Sequence, residues 1–168
     1  PEEWESIRDT LFDAMSKGES PIYEPKMNAF LEHTVYKYLR PTDEPISLTD
    51  IARRFEPDNP SYLIQSWLRS RNTIEFLGEW ERNNNTKFNE EAFQTLLKDV
   101  RSPSYTLTPK RWIETVNAVG LESKRGKNGG TMAHPFIACD FEMWNDMQFR
   151  YEVLKYFICS RVGKYNEA

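Results

Sequence analysis

The 168-residue sequence predicts an α+β domain, rich in helices and with a few short strands. Three observations carry that prediction. Apolar residues recur at helical spacing in one segment after another. Prolines and short polar side chains stand where those segments should begin. One stretch, residues 121–131, changes character to small, basic and glycine residues, with Asn128-Gly129 at the place of a tight hairpin turn. Apolar residues make up only 39%, yet 10 Phe, 8 Tyr and 5 Trp supply enough burial to exclude disorder throughout. The length suits one domain of ordinary size, or a small domain with an appended helical piece.

Trp4, Ile7, Leu11, Ala14 and Met15 share one face of a helix over residues 1–17, which Gly18 ends. After Pro25 a second helix carries Met27, Phe30, Leu31, Val35, Tyr38 and Leu39, and it stops before Pro41. These form an N-terminal helical hairpin, residues 1–45, closed by the proline-bracketed Pro41-Thr42-Asp43-Glu44-Pro45. Residues 46–160 are expected to be the main domain and 161–168 a tail. Ser47 can cap a helix with Asp50 three residues on, and Leu48, Ile51, Ala52 and Phe55 fall on one face of it. Glu56-Pro57-Asp58-Asn59-Pro60 breaks that helix. Asn59 is the expected cap of the next, which turns Leu63, Ile64, Trp67 and Leu68 inward. Two short helices so joined have the span of a helix-turn-helix.

Asn72-Thr73 is expected to separate this helix from a short apolar-acidic segment, residues 74–81, and Asn83-Asn84-Asn85 to form a turn. Asn89 caps a helix with Ala92, Phe93, Leu96, Leu97 and Val100, and Thr108-Pro109 opens one with Trp112, Ile113 and Val116. Pro135 starts a helix carrying Ile137, Ala138, Phe141 and Trp144. A last helix from about Met147 holds Phe149, Val153, Leu154, Phe157 and Ile158. Trp67, Trp112 and Trp144 read as core anchors.

Chemistry-bearing patterns are scarce. His33 and His134 are the only histidines and Cys139 and Cys159 the only cysteines, too few for a zinc module or a disulfide framework. His134 reads as a helix cap beside Pro135. Gly126, Gly129 and Gly130 form no phosphate-binding loop, and Glu90-Glu91 sit where a helix dipole explains them. No enzyme activity, cofactor or metal is therefore expected. The longest uncharged run, residues 128–139, is too short to span a bilayer, so no membrane partner is expected. Without a signal-peptide pattern, the expected location is cytoplasmic, or the nucleus or a virus factory if the source is eukaryotic or viral. Pro1 in first place predicts a chain trimmed from a longer one.

Net charge is -4, which by itself argues against a nucleic-acid binder, but it is spread unevenly. Residues 1–50 carry a net -6, residues 51–100 a net -1 and residues 101–168 a net +3. The best functional candidate is Ser123-Lys124-Arg125-Gly126-Lys127-Asn128-Gly129-Gly130-Thr131, a narrow tip whose cations reach outward and whose glycines admit a phosphate to the backbone. Arg53, Arg54, Arg69 and Arg71 form a second candidate. Arg69 and Arg71 are read as the C-terminal end of their helix, while Ser61, Gln65 and Ser66 on it can face base edges. Lys110 and Arg111 add two more cations near residue 112.

Ser47-Leu48-Thr49-Asp50-Ile51-Ala52 and Trp67-Leu68-Arg69-Ser70-Arg71-Asn72-Thr73-Ile74-Glu75-Phe76-Leu77-Gly78-Glu79-Trp80-Glu81 resemble the KilA-N domain. So do Thr108-Pro109-Lys110-Arg111-Trp112-Ile113-Glu114 and Gly129-Gly130-Thr131-Met132-Ala133-His134, followed by Ile137-Ala138 and Trp144. Order and spacing agree over residues 46–158. The resemblance implies a DNA-binding module of phages, bacteria and large DNA viruses, related to the APSES domains of fungal transcription factors. It implies a winged helix-turn-helix in which residues 48–55 and 60–71 are the helix pair and residues 123–131 the wing. Met132 departs from the aromatic residue common there. Residues 1–45 lie outside the resemblance, and no cysteine-rich finger follows. Double-stranded DNA is the expected partner, bound by a regulator from a phage, mobile element or bacterial host. A protein-interaction module that keeps the fold without strong DNA affinity is the alternative. Beside DNA, the N-terminal helices are expected to offer a surface for a homodimer or a protein partner.

Overall fold

The computed structural model describes Tyr38, residues 44–100, Ser102, residues 105–124, Gly126 and residues 129–162. The helices expected over residues 1–17 and after Pro25 lie outside them, apart from Tyr38. Two compact units result: Pro45–Phe141, and a second that includes Tyr38, Glu44 and the residues from Glu142 on.

The first unit begins with a short strand, β1 (Ile46–Ser47), and two helices, α1 (Leu48–Phe55) and α2 (Pro60–Leu68). Three more helices follow, α3 (Arg71–Asn84), α4 (Glu90–Asp99) and α5 (Pro109–Val116). A hairpin of β2 (Leu121–Lys124) and β3 (Gly130–Ala133) leads into α6 (Pro135–Asn145), whose last residues belong to the second unit with α7 (Met147–Val162). The sheet is antiparallel throughout, in the order β1-β3-β2. Ala133 stands between Ile46 and Leu121, so the hairpin is sewn to the strand that precedes the helix pair.

The expected caps are present where side-chain geometry permits. Ser47 Oγ accepts from the Asp50 amide at 3.1 Å, Asn89 Oδ1 from Ala92 at 3.1 Å and Thr108 Oγ1 from Arg111 at 3.2 Å. Asn59 differs: its Oδ1 accepts from the Ser61 hydroxyl at 2.8 Å, and Pro60 fixes the start of α2 instead. A larger difference is α3. Asn72 and Thr73 lie in its first turn rather than in a break, because Thr73, Ile74, Leu77, Gly78, Trp80 and Glu81 bury one continuous face. That burial outweighs the poor helix propensity of the two residues. Asn83 and Asn84 complete the last turn, donating to the carbonyls of Glu79 and Trp80 at 2.8 Å each. Phe55 and Trp144, both expected inside, are partly exposed at helix ends.

The core is built on aromatic rings. Trp67 meets Phe141 edge-on at 5.1 Å, and Phe93 meets Trp112 at 6.2 Å. Gly78 makes room for Phe93: a Cβ there would stand 2.3 Å from the ring. Glu81 is buried within this core. Its carboxylate accepts from the Gly120 amide at 2.8 Å, from Val119 at 3.0 Å and from Asn85 Nδ2 at 2.8 Å. Asn85 Nδ2 also donates to the Asn117 carbonyl at 2.7 Å, where Asn117 ends α5 in a left-handed turn. One side chain of α3 thus fixes the loop that launches β2.

A surface ion pair ties the end of α3 to the start of α4. Glu90 accepts from Arg82 at 2.7 and 2.8 Å and from Gln94 at 2.8 Å. These bonds to its charged form, those of Arg82 foremost, hold the carboxyl at about 2, below the ordinary 4.5. A lowered native value favours the ionised folded state. The stabilisation is therefore complete above the ordinary carboxylate range and is lost as pH falls toward about 2. The pair is half exposed, which keeps its contribution small. In an NMR titration the Glu90 carboxyl is expected to turn over near 2 and to move toward 4.5 in Arg82→Ala. A wild-type midpoint already at the ordinary value contradicts this.

Candidate nucleic-acid interface

The root of the hairpin rests on the first turn of α1. The Thr131 amide donates to Thr49 Oγ1 at 2.9 Å, and a Cβ at Gly130 would stand 2.7 Å from that same oxygen. Only a glycine lets the strand come so near. Across the ladder Gly130 faces Lys124, and one turn along α1 from Thr49 lies Arg53. Lys124 and Arg53 therefore flank one junction of wing and helix. Each has an acidic neighbour, Glu122 at 3.5 Å from Lys124 and Asp50 at 2.6 Å from Arg53, and both pairs are exposed. Such pairs are weak in water and leave the cations open to a phosphate.

At the tip Gly126 has φ +112°, and the Gly129 amide donates to its carbonyl at 2.8 Å, closing the turn. Arg125, Lys127 and Asn128 lie outside the described residues.

On α2 the inner face is Ile64, Trp67 and Leu68. Gln65 and Ser66 are half-buried and Arg69 is exposed at the C-cap. Tyr62, 55% exposed, precedes Gln65, Ser66 and Arg69 by three, four and seven residues, so all four share the outward face. Tyr62 was absent from the sequence candidates, although that spacing points to it. Arg71 requires a correction: it does not end α2 but opens α3, since Ser70 between them is extended. A cation is unfavourable at a helix start, and Glu75 one turn on meets it at 2.7 Å. Arg54 lies with its guanidinium 5.4 Å from the Phe55 ring.

Lys110 and Arg111 face different hollows. Lys110 pairs with Glu114 at 3.4 Å and lines a groove shared with Glu122 and Ser123 of β2. Arg111 turns away toward α4, with its guanidinium 5.2 Å from the Tyr105 ring, in a hollow also lined by Glu91 and Asp99. Burial pushes the Tyr105 hydroxyl up from its usual value, against the opposing pull of Arg111. Among the described residues no cluster of His, Cys, Asp and Glu is arranged to hold a metal. His134 Nδ1 accepts from the Phe136 amide at 3.2 Å beside the ring of Trp80, which is a capping role. No helix among the described residues is long and apolar enough to cross a membrane.

A helix pair with a β-hairpin sewn to its leading strand defines a helix-rich α+β domain with a small three-stranded antiparallel sheet. The chain belongs to the KilA-N domain family, whose model matches residues 33–161, and the domain is generally a DNA-binding one. No curated protein and no solved structure matches the chain.

Proposed function

We propose that the chain binds double-stranded DNA, sequence-specifically or by its shape, as a regulator from a phage, mobile element or bacterial host. It acts by binding, without catalysis. The observation that carries this reading is the junction at Thr49, which joins the cationic wing to the first helix of the pair. Lys124, Arg125, Lys127, Asn128, Arg53 and Arg54 hold phosphates, with Lys110 beside the wing. Tyr62, Gln65, Ser66 and Arg69 present α2 to a groove. Arg71 and Arg111 serve as flanking charges.

One observation favours a second reading, a protein-interaction module. Arg53, Arg71, Lys110 and Lys124 each pair with a carboxylate of the chain itself. Replacing Lys124, Arg125 and Lys127 together by alanine separates the two. Affinity for duplexes of any sequence should fall on the order of tenfold or more at low salt. The melting temperature should hold, since exposed charges contribute little to folding. Undiminished duplex affinity removes the wing from the interface.

A further inference from the structure

The register of β3 singles out one side chain that holds the hairpin to the helix pair. In an antiparallel sheet a middle strand turns its backbone groups alternately to one neighbour and the other. The His134 amide donates to the Gly120 carbonyl at 2.9 Å, so Met132 and Gly130 also bond toward β2. Ala133 and Thr131 therefore face β1. Ala133 meets Ile46 there, Met132 lies across from Ser47, and Leu48 would be next, across from Thr131. Leu48, however, opens α1, and its backbone has left the ladder. Thr131 is buried, so its amide needs another acceptor. Thr49 Oγ1 supplies it at 2.9 Å, in place of a strand carbonyl.

We propose that Thr49 is the positioning residue that sets the angle of the wing to the helix pair, and through that angle the grip on DNA. The second half rests on the proposed duplex binding, the first does not. Two properties suit threonine to this place. Branching at Cβ restricts χ1, so the hydroxyl stays aimed. The side chain also borders the space that Gly130 leaves: a Cβ on Gly130 would stand 2.7 Å from Thr49 Oγ1 and 3.2 Å from Thr49 Cβ. Thr49 thus bonds Thr131 and abuts Gly130, the two residues of β3 nearest the tip. Across the ladder these face Ser123 and Lys124, so both strands of the hairpin turn about this point. Without the bond, Met132 becomes the last residue tied to β1, and the cations beyond it swing as one arm. A binding constellation tolerates displacements of only about 0.5 Å.

NMR of the full chain reads the angle, and duplex binding reads its consequence. Thr49→Val keeps the shape and removes the acceptor, whereas Thr49→Ser keeps the acceptor. In Thr49→Val the Thr131 amide should exchange about tenfold faster or more. Residual dipolar couplings of Ser123, Lys124 and Gly130 should change, with those of α2 and α3 unaltered. Duplex affinity at low salt should fall about five- to tenfold, and Thr49→Ser should restore most of it. With Lys124, Arg125 and Lys127 already replaced by alanine, Thr49→Val should cost less than about twofold, since both changes act through one tip. Unchanged couplings in Thr49→Val overturn the proposal, as does a displaced hairpin that leaves affinity intact. A loss that recurs in full without the wing cations also overturns it and makes Thr49 a direct DNA contact. A wild type without duplex affinity sinks the DNA reading, while altered couplings in Thr49→Val still support Thr49 as the wing's anchor.

Discussion

Glu81→Ala is expected to destabilise the protein by about 3 to 5 kcal/mol, the range for leaving buried polar partners unsatisfied. The carboxylate is the shared acceptor for the amides of Val119 and Gly120 and for Asn85 Nδ2, at 2.8 to 3.0 Å by its shorter contacts. Alanine leaves these donors facing a cavity. Glu81→Gln keeps the shape and one acceptor oxygen but turns an NH2 toward a donor, so its cost should be smaller, about 1 to 3 kcal/mol. Urea unfolding of both variants ranks them. A loss below about 1 kcal/mol in Glu81→Ala shows that water or a backbone shift satisfies the donors.

Trp67→Ala should cost a similar amount, about 3 to 5 kcal/mol, for a different reason. The indole is fully buried, meets Phe141 edge-on at 5.1 Å and donates to Asp140 Oδ2 at 3.1 Å. Alanine removes the ring that holds α2 against α6 and opens a cavity in the core. Trp67→Phe retains most of the apolar volume and loses the indole N–H, and it should recover about half of the loss. Thermal unfolding compared with Glu81→Ala distinguishes a cavity from an unpaired polar group. Recovery by phenylalanine is expected at position 67, whereas at position 81 an apolar Glu81→Leu should recover little. Equal losses for Trp67→Ala and Trp67→Phe contradict the cavity argument.

Much of the helix pair and the wing was legible because their signals are local. Ser47, Asn89, Thr108 and the prolines mark helix starts within three or four residues, and the glycines mark the hairpin tip. The continuous α3 was not legible. Asn72 and Thr73 are weak helix formers, and what holds them is burial against segments distant in sequence. Glu81 was hidden for the same reason: two of its partners are backbone amides nearly forty residues on, and an acidic residue ending an apolar segment looks like a surface group. On the interface, spacing could place Gln65, Ser66 and Arg69 on one helix. It could not give Arg71 to the next helix, because Ser70 carries no strong breaking signal. Nor could it show Thr49 beneath the wing, since that contact links residues 82 apart.

The salt dependence of duplex binding tests most directly whether wing and helix pair form one DNA-binding face. With four to six phosphates neutralised, log K should fall linearly with log salt at a slope of roughly -4 to -5. Removing the cations of Lys124, Arg125 and Lys127 should make the slope shallower by about 2 to 3. A slope near zero in both proteins, with affinity no better than roughly millimolar at low salt, contradicts DNA binding by this face.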